Sequence, residues 1–176
     1  MNWRLEPETT GLLVIDVQEK LLPAIAESER VVKKIGDMIK IAKLLTLSVF
    51  VTEQVPEKLG PTIQPLRDLM PDFERMEKHE FSAAGTLRFN LPKHLLVVGL
   101  ETHVCVRQTV YDLRQKETVV YVLADAVSSR SLSDYNLAIA EMRQDKVLIS
   151  SVEAVCWELL GSADHPKFRE ALAILK

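Results

Sequence analysis

The feature that most narrows the fold is a set of short apolar runs without polar alternation: Gly11–Asp16, Ser48–Thr52, Leu95–Gly99, Thr118–Leu123 and Lys146–Ile149. A strand with one face in water alternates apolar and polar residues. Runs rich in Val, Ile and Leu throughout are expected where both faces are covered. A weaker run lies around Phe73–Glu77. Between the runs the apolar period changes to that of a helix. In Ser28–Leu45 the residues Val31, Ile35, Met38, Ala42 and Leu45 share one face, with Ser28 as the expected N-cap. His103–Lys116 and Ser131–Asp145 repeat the pattern. Ser150 followed by Glu153 reads as a capping box opening a helix that stops near Gly161, and a last helix is expected over about His165–Leu175. Strands alternating with helices predict βαβ units and a doubly wound, Rossmann-like parallel sheet in a three-layer α-β-α sandwich.

One domain is expected, because 176 residues suffice for one buried core and not for two ordinary ones. A net charge of −3 with no Lys/Arg stripe argues against nucleic acid as partner. No apolar stretch reaches membrane-spanning length, and Gly11–Ile15 is too short for a signal-peptide core. Two cysteines make no disulfide framework, so a reducing, cytoplasmic setting with free thiols is expected. There is no GxGxxG and no GxxxxGK[ST], hence no phosphate loop for a nucleotide cofactor. The longest irregular stretch, Glu53–Asp72, carries Pro56, Pro61, Pro65 and Pro71. It reads either as a lid or pocket wall, or as a surface excursion with a short helix near Ile63–Leu69.

Ligands of open parallel sheets bind beyond the carboxyl ends of the strands. Asp16 ends the first run, Lys78 follows the weaker run Phe73–Glu77, Glu101, Thr102, His103 and Cys105 follow Leu95–Gly99, and Asp125 follows Thr118–Leu123. Taken singly, Cys105 would be a small buried hydrophobe, Asp16 a turn former and Lys78 a solvated charge. Together they supply a nucleophile in the first turn of a helix, a cation that would lower its pKa, and a carboxylate able to take its proton. Cys156, beside Trp157 in a helical pattern, reads as packing.

The segments LLVIDVQEKLLP, MEKHEFSA and VVGLETHVCVRQT resemble, in order and spacing, the three signature regions of the isochorismatase-like cysteine hydrolases. DAVSSR at Asp125–Arg130 and SVEAVCWEL at Ser151–Leu159 resemble later blocks of that family, so the likeness runs from about Thr10 to Leu160. The short loops and ETHVCV are most similar to isochorismatase-domain proteins and the small bacterial hydrolases related to them. The resemblance implies a six-stranded parallel sheet, an Asp16–Lys78–Cys105 triad and a cis peptide at Leu100–Glu101. It further implies an oxyanion hole formed by the N–H groups of Glu101 and Cys105, and assembly as a dimer or larger ring. Gln18, Gln54, Phe81 and Thr102 are the candidate pocket residues, Gln18 more as an anchor for neighbouring loops. His79 and His103 flank the site as ordinary hydrogen-bonded residues.

Nicotinamidases of this family hold a metal with an Asp-x-His pair where this chain reads Thr52, Glu53, Gln54, so no metal and no other cofactor is expected. The expected activity is hydrolysis of a small amide- or imide-like C–N bond through an acyl-thioester. The rivals are a low-turnover binding or scaffold protein with the same fold, and a redox-sensing thiol protein. A homo-oligomer is expected through Trp157, Leu159, Leu160, Phe168, Leu172, Ile174 and Leu175, which exceed what one face of a terminal helix needs. The alternative is that these residues cover the sheet.

Overall fold

The computed structural model describes residues 4–87, 90–116 and 118–176. The strands are β1 (Thr10–Ile15), β2 (Ser48–Gln54), β3 (Arg75–Lys78), β4 (His94–Leu100), β5 (Val119–Ser128) and β6 (Leu148–Ser150). They form one sheet of order β3-β2-β1-β4-β5-β6 with every neighbouring pair parallel. The helices are α1 (Ser28–Leu44), α2 (Pro56–Leu59), α3 (Gln64–Leu69), α4 (Arg107–Arg114), α5 (Leu132–Gln144), α6 (Val152–Leu160) and α7 (Phe168–Leu175).

Side-chain alternation along the central strands divides the core in two. Leu12 and Val14 of β1, with Leu96, Val98 and Leu100 of β4, pack against α1, α6 and α7. Leu13, Ile15, Leu95 and Val97 pack on the other face against α4 and α5. Both strands are buried along their whole length, which is why their sequences lack polar alternation. Each fully buried Leu or Val contributes about 1.5–3 kcal/mol of hydrophobic stabilisation. The strand order reverses between β1 and β4, so the carboxyl ends of these neighbours frame the crevice where such sheets bind ligands.

Several element ends differ from the sequence expectation, each for a local reason. Ser28 lies inside α1, whose N-cap is Glu27 in a left-handed conformation. The capping box expected at Ser150 sits one residue later: Ser151 accepts the N–H of Ala154, and the Glu153 carboxylate instead takes the indole N–H of Trp157. Strand β5 runs on to Ser128, because a register shift between Val97 and Gly99 lets it continue beside the end of β4. Asp125 is therefore inside β5 rather than beyond it. The expected C-terminal helix starts at Phe168, after a turn in which Lys167 N–H bonds His165 Nδ1.

The Glu53–Asp72 stretch starts within β2 and carries two short helices, α2 and α3, the second being the helix expected near Ile63–Leu69. Its backbone is tied to the β1 exit by Ile63 N–H to Val17 O, Glu19 N–H to Pro61 O and Lys20 N–H to Leu59 O. The buried Glu53 carboxylate accepts both the N–H and the hydroxyl of Thr62. Such dense pinning makes this segment a fixed wall beside the sheet edge.

The C-terminal apolar residues also turn inward. Leu159, Leu160 and Ala171 are buried, Trp157, Ile174 and Leu175 pack against the same core, and Trp157 lies 5.2 Å from Phe168, ring centre to ring centre. Helix α7 packs on α1 and α6, while Phe168 and Leu172 of the expected association surface stay half-buried. Among the described residues the large exposed apolar side chains are Phe81, Leu132, Leu137 and Leu148.

Where β4 approaches β1, Gly99 adopts φ +122°, and an added Cβ would lie 2.1 Å from the Ile15 carbonyl oxygen. Only glycine allows this approach. Gly99→Ala should therefore destabilise the fold by about 3 kcal/mol or more. Gly85→Ala, which meets nothing within 4 Å, should stay within about 0.5 kcal/mol of wild type. Urea unfolding midpoints of the two variants check this.

Candidate active site

The carboxyl end of β1 delivers Asp16 at φ 51°. Its N–H bonds Thr52 O at 3.1 Å, so the ladder to β2 holds one residue past the strand. The side chain turns into the protein interior: Oδ1 accepts the Thr52 hydroxyl at 2.8 Å, and Oδ2 lies 2.7 Å from Lys78 Nζ. Both side chains of this ion pair are 0% exposed.

Lys78 is the last residue of β3, and its register partner on β2 is Gln54. Besides Asp16, Nζ donates to Gln54 Oε1 at 2.5 Å, Phe81 O at 3.0 Å and Glu80 O at 3.2 Å. The three protons of the ammonium thus have a full set of acceptors, as a buried charge requires.

Cys105 lies in a π-helical turn, Thr102–Val106, that leads into α4. The expectation placed it in the first turn of an ordinary α-helix. The wider turn arises because Glu101 O accepts both Val104 N–H and Val106 N–H. Wide turns of this kind recur at functional sites. The turn is held from below by the Thr109 hydroxyl, which donates to Cys105 O at 2.6 Å and accepts Ala83 N–H at 2.8 Å. Thr109 therefore joins the cysteine turn to the Phe81–Ala84 segment.

The thiol is buried close enough to Asp16 and Lys78 for both charges to act on it. Burial, then the charge of Asp16, push it up from 9.0 to about 12, and the Lys78 ammonium offsets only part of this. Burial likewise raises the Asp16 carboxyl against the pull of Lys78. Lys78 pulls the thiol pKa down as expected, but the net shift is upward because burial and the Asp16 charge outweigh it. The cation is already committed to Asp16, and removal from water outweighs what remains. The resting site thus holds a protonated thiol beside a paired carboxylate.

The other predicted residues fall around this centre. The Leu100–Glu101 peptide bond is cis. The Glu101 carboxylate is turned toward Arg130, accepting its N–H at 2.8 Å and its Nε–H at 3.1 Å. Thr102 is buried, and its hydroxyl has no hydrogen-bond partner among the described residues. His103 Nδ1 lies 2.9 Å from the Ser129 hydroxyl. His79 has an exposed ring and contributes its carbonyl, which accepts Gln54 Nε2–H at 2.7 Å. Phe81 is the one predicted pocket side chain with a large exposed area, at 55%. Gln18 and Gln54 are buried, with their amides engaged in the protein's own hydrogen bonds.

Sequence reasoning missed Thr52, Thr109 and Arg130. For Thr52 a signal existed: with β1 beside β2 it stands level with Ile15, one residue before the acid. For Arg130 and Thr109 no pattern in the chain revealed the partner. Among the described residues no group of three or more His, Cys, Asp or Glu could hold a metal ion, and Glu53 is spent on Thr62.

Residues 10–154 match the Isochorismatase domain family. The chain belongs to that family. It is 36% identical to mouse isochorismatase domain-containing protein 2A, over 98% of this chain and 85% of the relative. Human isochorismatase domain-containing protein 2 is 35% identical over 98% of this chain and 86% of its own. Among solved structures, MAR1 ribonuclease from Caenorhabditis elegans superposes with a TM-score of 0.91 at 34% identity, covering 98% of this chain and 92% of that one. The YcaC gene product of Escherichia coli, described as an octameric hydrolase of unknown specificity, shares the fold at TM-score 0.87 and 20% identity, over 99% of this chain and 88% of that one. The six-stranded parallel sheet flanked by helices is the architecture of this isochorismatase-like group.

A protonated thiol should be a slow nucleophile at neutral pH. Alkylation of Cys105 by iodoacetamide, followed by mass spectrometry, should be slow at pH 7 and still accelerating at pH 10. The raised pKa also makes the folded state hold a proton that the unfolded chain releases above about pH 9. Its contribution to stability is therefore complete below that pH and lost as pH rises toward 12. Cys105→Ala should lose less stability than wild type between pH 9 and 11, read from thermal melts at each pH.

Proposed function

We propose that this chain is a cysteine-dependent hydrolase acting on a small amide- or imide-like C–N bond. The observation that carries the reading is the ion pair of Asp16 and Lys78, 2.7 Å apart and shut off from water, whose charges both act on the buried Cys105 thiol. A buried ion pair costs several kcal/mol of desolvation per charge and rarely improves stability over an apolar substitute. A scaffold protein gains little from keeping one against a thiol; a hydrolase needs both.

The chemistry follows from the protonation states. Asp16 takes the thiol proton as Sγ attacks the substrate carbonyl carbon, so the thiolate is generated at the moment of attack. Lys78 keeps its proton and balances the negative charge moving between Asp16 and Sγ. The backbone N–H groups of Glu101 and Cys105 are the proposed donors to the tetrahedral oxyanion. As the C–N bond breaks, Asp16 returns the proton to the departing nitrogen, leaving an S–C thioester. Water then gives a proton to Asp16 and attacks the acyl carbon. Collapse breaks the S–C bond, releases the carboxylic acid and restores the thiol. Phe81, exposed and carried by a segment that Lys78 and Thr109 both hold, is the proposed aromatic wall of the substrate pocket.

The ribonuclease activity named for the nematode relative is not carried over, since a net charge of −3 without a basic stripe gives a phosphodiester backbone little to bind. Assembly into a homo-oligomer is proposed on different residues from those the sequence suggested: Leu137, 70% exposed, and Leu132, 46% exposed, lie on α5. The cytoplasm remains the proposed location.

With a hydrolysed amide in hand, Cys105→Ala or Cys105→Ser should reduce turnover at least about a thousandfold, about 4 kcal/mol in barrier, while the melting temperature stays near wild type. Residual activity within tenfold would eliminate the covalent route. Acyl-Cys105 should be trapped in acid-quenched wild type and detected by mass spectrometry. Turnover should be unaffected by chelators. Light scattering at micromolar concentration should give a mass of at least twice the chain's 19.9 kDa; a persistent monomer would refute assembly.

A further inference from the structure

The geometry points to Gln54 as a positioning residue that holds the Lys78 ammonium on Asp16, and to Gln18 as the residue that fixes Gln54 in turn. This rests on the reading of Asp16, Lys78 and Cys105 given above and adds a supporting pair of amides to it.

The hydrogen-bonding leaves little freedom. Gln54 Oε1 lies 2.5 Å from Lys78 Nζ, and Gln54 Nε2 donates to His79 O at 2.7 Å. These two bonds together set which end of the amide faces the lysine. A flipped amide would put N–H against ammonium and carbonyl against carbonyl. The Gln54 backbone is fixed as well. The β1–β2 ladder ends at Ile15 and Thr52, because β1 turns away at Asp16. The Gln54 N–H and C=O would then lack partners on the β1 side, at a cost. The Gln18 amide replaces the missing strand: Oε1 accepts Gln54 N–H at 2.8 Å, and Nε2 donates to Gln54 O at 3.0 Å and Gly60 O at 2.6 Å. Gln18 is 0% and Gln54 8% exposed.

The chemistry explains why a neutral acceptor stands there. An ammonium has three protons to place, and a buried one needs an acceptor for each. A neutral carbonyl satisfies one without drawing positive charge away from Asp16. A carboxylate at this position would compete with Asp16 for the cation, and Asp16 would hold its own proton to higher pH. An apolar side chain would leave Nζ only Asp16, Phe81 O and Glu80 O as acceptors and remove the contact that fixes its position on the Gln54 side. In either case the base that takes the thiol proton is impaired, with substrate binding untouched.

The test uses 4-nitrophenyl acetate as acyl donor, following 4-nitrophenolate release and the acetyl mass increment on Cys105. Gln54→Met should reduce the acylation rate at least tenfold with KM within threefold of wild type. Gln54→Glu, nearly isosteric, should move the acidic limb of the rate–pH profile up by at least half a pH unit. Thermal melts confirm that each variant is folded, and if Gln54→Met is not, the profile of Gln54→Glu decides. Rates within threefold of wild type and an unmoved acidic limb, with Cys105→Ala inactive, would overturn the role of Gln54 and leave the cysteine reading standing. Equal nitrophenolate release by wild type and Cys105→Ala would overturn both.

Discussion

The ion pair between Asp16 and Lys78 organises the rest of the site. Two unit charges at 2.7 Å with no exposed surface are tolerable only if every remaining proton and lone pair finds a partner. Thr52 supplies one for the carboxylate; Gln54, Glu80 and Phe81 supply those for the ammonium. Meeting that demand fixes the end of β2, the end of β3 and the turn after it. The same electrostatics holds Cys105 as a thiol, because the lysine is spent on the acid and burial favours the neutral form. In the proposed mechanism reactivity depends on moving a proton within a closed group of atoms rather than on a standing thiolate.

The sheet explains how three residues far apart in the chain reach one point. The order β3-β2-β1-β4 places the carboxyl ends of β1, β3 and β4 along one edge. Gly99 lets β4 approach β1 where a side chain would collide with Ile15, and the π-helical turn brings Cys105 back over Asp16. The pinned stretch between β2 and β3 closes one side, and the Phe81–Ala84 segment, tied to the cysteine turn through Thr109, forms another.

Much of this was legible from the chain. The uniform apolar runs forecast a sheet covered on both faces, and the helical periods between them forecast parallel order. Asp16, Lys78 and Cys105 stood out as chemically capable residues at strand ends. What failed did so where local pattern competes with tertiary context. Ser28 and Ser150 are good capping residues, yet the chain's approach to the helices put the caps at Glu27 and Ser151.

By itself the sequence determined the fold class, the strand ends where Asp16, Lys78 and Cys105 stand and the residue types available there, because these depend on periodicity and order along the chain. The tertiary structure alone decided the protonation of Cys105, the commitment of Gln18 and Gln54 to internal hydrogen bonds and the pairing of Glu101 with Arg130. Those depend on distance and exclusion of water between residues remote in sequence. A charge's desolvation and its partner's position are set only when the strands have been laid side by side.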